Sequence, residues 1–155
     1  MGEITLREVR DEDLQILFRH QLDPEATAMA AFPSRDWEAF MAHRAKIRVD
    51  ETIRSRVIEV DGEVVGDVGS WLDGNHRDVG YWIGREFWGR GFATAALGQL
   101  VAEIADRPLY AHVAVHNVGS IRVLEKCGFK ESDDELVAGP DAPEDDVEEV
   151  LMKLG

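Results

Sequence analysis

From Tyr81 to Thr94 the chain reads Tyr-Trp-Ile-Gly-Arg-Glu-Phe-Trp-Gly-Arg-Gly-Phe-Ala-Thr, a short β-forming run that passes through a glycine-spaced turn straight into helix-forming sequence. No linker intervenes, so the helix must fold back onto the sheet that it leaves. Gly89, Gly91 and Ala93 are small residues at alternate positions, and they let backbone N–H groups approach an anion. The new helix adds unsatisfied first-turn amides and the positive end of its dipole. The segment therefore predicts a seat for a diphosphate, with a purely structural strand-to-helix turn as the plain alternative.

Residues 109–129 follow a related grammar: strand, Asn turn, short helix, Gly stop. Asn117 and Ser120 stand where helix N-cap chemistry is expected, Lys126 lies in the last turn, and Gly128 supplies a left-handed exit toward another strand. Together the two segments resemble the GNAT superfamily of acyl-CoA-dependent N-acyltransferases. Gly91 and Ala93 match the last two defined positions of that family's pyrophosphate loop, (Gln/Arg)-x-x-Gly-x-(Gly/Ala). The series Asn117, Ser120, Lys126, Gly128 and Phe129 resembles its second signature, especially in the branch of ribosomal-protein N-terminal acetyltransferases.

The resemblance implies an α+β fold: a central twisted, mostly antiparallel sheet flanked by helices and splayed between its fourth and fifth strands. It also implies acetyl-CoA as cosubstrate. In the splay, the amide-rich pantetheine arm of CoA would serve as a pseudo-strand, because buried ladder groups need partners. Carried over residue by residue, Trp82 and Ile83 offer backbone groups to pantetheine. Trp88, Gly89, Arg90, Gly91, Phe92, Ala93 and Thr94 surround the diphosphate, Arg90 as a cation and Thr94 with its hydroxyl. Asn117 holds the thioester end or its neighbouring backbone, with a plain helix cap as the structural alternative. Ser120 and Lys126 complete the cofactor-binding set. The implied reaction is direct acetyl transfer to a primary amine, either a protein N-terminus or a small amine. A non-catalytic acyl-CoA binding or sensor module on the same fold is the alternative.

Two positions depart from the family pattern. Trp88 stands where many members carry Gln or Arg, and Leu124 where many carry a tyrosine that protonates the leaving thiolate, so that acid is not carried over. Direct transfer needs a neutral amine, and His112 is the candidate general base. It lies five residues before Asn117, where some N-terminal acetyltransferases of the family carry glutamate, and imidazole titrates near neutrality. The candidate catalytic residues are thus His112 and Asn117. Strand alternation puts His116 on the face of His112 as a second choice, and Asp67 and Glu86 are further carboxylate candidates. A merely packed or solvated ring is the structural alternative for both histidines.

Charge narrows the partners. The 155 residues carry a net charge of −14, and residues 131–155 hold ten acidic side chains against Lys153 alone. Such a field repels nucleic acid and anionic membranes and could draw in a cationic acceptor, with a solvated loop that only aids solubility as the plain alternative. The single cysteine, Cys127, excludes an internal disulfide and a multi-cysteine metal centre, and as a small residue before a helix-ending glycine it is expected in the core. The five histidines lack a His-Glu-x-x-His pattern. His112 and His116, four apart on a strand, would stand ~13 Å apart, so no metal is expected. A Gly-x-x-x-x-Gly-Lys-(Ser/Thr) loop is also lacking. The sequence shows no run of 18 apolar residues, no cationic leader with an apolar centre, and no Ser or Thr at position 6 after Met1-Gly2. A single cytoplasmic domain over residues 1–155 is expected, with a homodimer left open by its aromatic residues.

Periodicity supplies the elements. It places a strand at 5–9 and then a helix capped by Asp11 or Asp13, with Leu14, Leu17 and Phe18 on one face. Residues 24–33 read as irregular. Ser34 or Asp36 opens a helix striped by Trp37, Phe40, Met41 and Ala45. In the resembled family these helices cover the acceptor pocket, which makes Phe32 and Trp37 candidate lining. Strands at 56–60 and 63–71 meet at the Asp61-Gly62 hairpin signal, and Asp73-Gly74-Asn75 leads into a strand at 78–83. Ala93, Ala96, Leu97, Leu100, Val101 and Ile104 form the apolar stripe of the helix after the glycine turn. Pro108 ends that region before a strand at 109–115, and later strands fall at 129–133 and 148–154.

Overall fold

Asp61 and Gly62 both adopt positive φ, 52° and 80°, as a two-residue hairpin turn requires. They join β2 (Arg54–Val60) to β3 (Glu63–Asp73) in the computed structural model of the chain, which describes residues 3–30, 34–136 and 148–155. Phe32 and residues 137–147 of the acidic segment lie outside the described residues. A second tight turn at Gly74-Asn75 pairs Asp73 with His76 and starts β4 (His76–Ile83) two residues earlier than expected. With β1 (Ile4–Arg7), β5 (Leu109–Ala114), β6 (Lys130–Glu131) and β7 (Glu149–Leu154), these strands form one sheet of order β1-β2-β3-β4-β5-β7-β6.

Neighbouring strands are antiparallel except β4 and β5, which are parallel. That pair is in register only at Arg77 with Leu109 and Asp78 with Tyr110. Beyond those residues the two strands part, as the resemblance implied. A parallel pair needs a long crossover, supplied by the glycine turn and α4 (Phe92–Glu103).

The helices divide between the two faces. Buried Ala96, Leu97, Leu100 and Val101 lay α4 on one face, with Val68, Val79, Ile83, Leu109, Ala111 and Val113 beneath, and Leu124 of α5 (Val118–Lys126) joins them. Burying a Leu or Val side chain contributes roughly 1.5–3 kcal/mol, so this face holds most of the core. On the other face, Leu14 and Leu17 of α1 (Leu14–Gln21) and Phe40 of α3 (Trp37–Val49) cover Val57 and Val64. Asp36 caps α3 by accepting from Ala39 N–H at 2.8 Å. The expected stripe of α3 is only partly covered, since Phe40 is buried while Trp37 and Ala45 are exposed.

Residues 24–33 are not irregular throughout: Pro24–Ala30 forms α2. Proline at a first helical position forfeits only an N–H that would lack a partner, and its fixed φ suits the turn. Asp23 Oδ1 accepts from Glu25 N–H at 3.3 Å, and three alanines follow. Asp11–Asp13 is a single 3-10 turn ahead of α1, with Asp13 buried against Arg7. Among the described residues no helix is long and apolar enough to cross a membrane.

Candidate active site

The parting of β4 from β5 leaves backbone groups facing a gap, and ladder parity identifies them. Gly84 N–H donates to Val65 O at 2.9 Å, so alternation turns the main chain of Trp82 toward its partner Asp67 and that of Tyr81 and Ile83 toward the gap. The main chain of Trp82 does not face the gap as expected, because β3 already uses its groups, and that of Tyr81 faces it instead. The Trp82 indole donates to His20 O at 3.2 Å, tying β4 to α1. The Ile83 carbonyl accepts from the Trp88 indole at 2.9 Å. Trp88 thus braces the turn from the position where the resemblance places Gln or Arg.

At the end of this gap Gly89 and Gly91 adopt φ of 77° and 81°, and nothing lies within 4 Å of where a Cβ would stand on either. Both positions are therefore open to an approaching group, in a backbone conformation that L side chains resist. Ala95 N–H is bonded to Gly91 O at 3.1 Å, so the amides of Phe92, Ala93 and Thr94 belong to the helix's unsatisfied first turn. Arg90 is exposed, its guanidinium 5.9 Å from the Phe87 ring. The cradle fits a diphosphate: a helix N-terminus, two left-handed glycines and a cation meet in one place. A groove beside the turn is lined by Gly89–Phe92 together with Glu3 and Asp61, and those carboxylates disfavour an anion on that side.

Asn117 is the N-cap of α5, its Oδ1 accepting from Ser120 N–H at 3.2 Å. Lys126 is exposed in the last turn, and Cys127 is half-buried, its thiol donating to Thr94 O at 3.5 Å. Burial raises the Cys127 thiol above its ordinary pKa, which removes it as a nucleophile. The Ser120 hydroxyl shares a 2.8 Å hydrogen bond with the Tyr81 hydroxyl. Tyr81 went unnoticed in the sequence as a functional group. It carries a half-buried phenol whose pKa desolvation pushes up, so the proton stays on oxygen. Ser120 lies one helical turn before Leu124, the position where the family pattern has its tyrosine.

On the opposite face, His112 is exposed, with Nε2 3.7 Å from Asp78 Oδ1 and its ring 5.9 Å from that of His76. Asp78 is 3 % exposed. Burial, then the charge of Asp73 and a hydrogen bond with it, push the Asp78 carboxyl up to about 7. Burial also lowers the His76 imidazole below its ordinary pKa, so the ring is neutral at pH 7. His116 stands apart from this group, its Nε2 3.0 Å from Ala28 O on α2. Asp67 is paired with Arg44 at 2.7 Å, and Glu86 lies in the turn after β4, facing a concavity with Arg19, His20, Asp23 and Arg85. Trp71 packs over Gly80, where an added Cβ would stand 2.8 Å from its ring, so an aromatic shelf adjoins β4 on the His112 face.

A family model described as Acetyltransferase (GNAT) domain matches residues 3–130. The uncharacterised N-acetyltransferase p20 of Bacillus licheniformis is 26 % identical over 140 residues, 82 % of this chain and 79 % of that protein. Among solved structures, spermidine N-acetyltransferase from Vibrio cholerae, in complex with CoA and spermine, superposes with a TM-score of 0.79 at 20 % identity, covering 97 % and 94 % of the two chains. RimJ from Mycobacterium smegmatis, in complex with CoA-disulfide, gives 0.71 at 24 % identity, covering 99 % and 82 %.

Proposed function

The chain belongs to the GNAT acetyltransferase family, and from that premise we propose that it transfers the acetyl group of acetyl-CoA directly to a primary amine, with a cationic amine as the preferred acceptor. The observation that carries this reading is the gap between β4 and β5 running to the left-handed glycines at the start of α4. The amides of the cradle hold the diphosphate. The backbone of Tyr81 and Ile83 faces the pantetheine arm, and Asn117 and Ser120 stand across the gap at the start of α5.

In the reaction the amine nitrogen bonds to the thioester carbonyl carbon and the carbon–sulfur bond breaks. His112 takes the proton of the incoming amine. Tyr81, held by Ser120, gives its proton to the departing thiolate in place of the residue that Leu124 replaces. Bringing both reactants into attack geometry supplies much of the acceleration, and a backbone N–H of the parted strand polarises the carbonyl. The negative charge of the chain favours a polyamine or the free N-terminus of a basic peptide over an anionic amine.

The test incubates the protein with acetyl-CoA and a panel of polyamines, aminoglycosides and peptides, and follows free thiol. Acceptor-dependent thiol release is the expected result. Tight CoA binding with no release across the panel would mark the chain as a binding module.

A further inference from the structure

Asp73 closes β3, His76 and Asp78 open β4, and His112 lies two residues beyond the Asp78–Tyr110 register contact on β5. Two tight pairings thus bring four residues from three strands together, and one donor atom from each lies within 4.8 Å of the others. His76 Nε2 stands 3.2 Å from Asp78 Oδ1 and 3.9 Å from Asp73 Oδ2, and His112 Nε2 stands 3.7 Å from Asp78 Oδ1. The side chains of His76 and Asp78 are 4 % and 5 % exposed. Yet both ring nitrogens of His76, and Oδ1 of Asp78, lack a hydrogen-bond partner. Burying such atoms unsatisfied is unfavourable, because the water they give up is not replaced. His76 Nε2 and Asp78 Oδ1 both point into the cluster.

We propose that Asp73, His76, Asp78 and His112 bind one divalent transition-metal ion, and that zinc is the ion they suit best. Zinc bound at 2.0–2.2 Å in a tetrahedron holds its donors roughly 3.4 Å apart, close to the separations found here. A cation satisfies His76 Nε2 and Asp78 Oδ1 at once and neutralises two carboxylates held side by side. Two imidazoles beside two carboxylates favour zinc over magnesium or calcium, which prefer oxygen alone. The Tyr110 ring meets His76 edge-on at 5.5 Å and fixes its orientation. Exposed His112 provides the entry from solvent. Occupancy would also claim the Nε2 lone pair of His112. On the reading of His112 as base, zinc would then slow acetyl transfer, but the site itself does not depend on that reading.

The test strips the full chain with a chelator, titrates it with zinc alone by calorimetry, and counts zinc by mass spectrometry after desalting. One zinc per chain is expected. The variant His112→Asn, altered at the exposed rim, should keep the fold and lose at least about tenfold in affinity. His43→Asn on α3, away from the cluster, should bind as the parent does. Cobalt in place of zinc should give the visible absorption of a tetrahedral centre in the parent and lose it in Asp78→Asn. If Asp78→Asn does not fold, the His112→Asn affinity alone decides. Failure of the parent to retain zinc, or equal affinity in His112→Asn and His43→Asn, would overturn the site. None of these measurements requires acetyl transfer, so an inactive protein still gives an answer.

Discussion

The Tyr81 and Ser120 hydroxyls lie 2.8 Å apart, joining β4 to the first turn of α5 on the far side of the gap. The phenol reaches α5 one helical turn before Leu124, where the family pattern has its own tyrosine, but arrives from β4. Tyr81→Phe is therefore expected to lower kcat with little change in CoA affinity. The loss should not exceed about 10²-fold, the low end for one acid–base group, because a thiolate leaves readily. Stopped-flow thiol release together with CoA titration checks this, and an unchanged kcat would leave Tyr81 a packing role.

His112→Ala should slow transfer most for strongly basic acceptors, whose nitrogen is protonated at neutral pH. For a weakly basic amine, already neutral, the loss should shrink toward parity. The comparison uses chelator-treated enzyme and two acceptors of different basicity at one pH. Equal losses for both would remove His112 from the proton path.

Gly91→Glu puts a carboxylate into the cradle. Two like charges about 4 Å apart near a protein surface repel by about 4 kcal/mol, so CoA affinity should fall by more than ~100-fold. Gly91→Ala controls for the left-handed backbone, which costs roughly 1–2 kcal/mol in a residue with a Cβ. Calorimetry with CoA measures both, and retained affinity in Gly91→Glu would place the diphosphate elsewhere.

Asp13 is 2 % exposed and accepts from Arg7 Nη1 and Nη2 at 2.8 and 2.9 Å and from Arg10 N–H at 2.7 Å. The Arg7 hydrogen bond holds its carboxyl below the ordinary value of 3.8. A depressed folded pKa adds stability that is fully present above the unfolded value and is lost as pH falls through the folded one. Asp13→Asn should thus destabilise the fold by about 3 kcal/mol near pH 7, and the gap to the parent should begin to narrow as pH falls below about 4. Urea unfolding at several pH values measures it, and a pH-independent gap would mean that the charge plays no part.

What could be read along the chain is what local chemistry decides. The glycine turn into α4, the Asn117 cap, the Asp61-Gly62 hairpin and the apolar stripe over residues 93–104 each depend on neighbours a few residues away, and each appears where its pattern stands. The resemblance carried the mostly antiparallel sheet and its splay, which no local pattern encodes, while the order that sets β7 between β5 and β6 came only with the structure. Pro24 misled because proline breaks a helix in its interior but suits its first position, and only the fold of the preceding Asp23 separates the two cases.

The remainder was decided by strand register across long stretches of chain. Tyr81 meets Ser120 across 39 residues. Asp78 and His112 come together only because a two-residue parallel contact sets β4 beside β5 before they part. Ladder parity, which assigns the main chain of Tyr81 rather than Trp82 to the gap, is likewise a property of two strands at once. Local sequence determined which segments become strands, caps and turns, because those choices are paid within a few residues. Tertiary structure decided which side chains share a site, because a shift of one residue in pairing would turn every one of them to the other face.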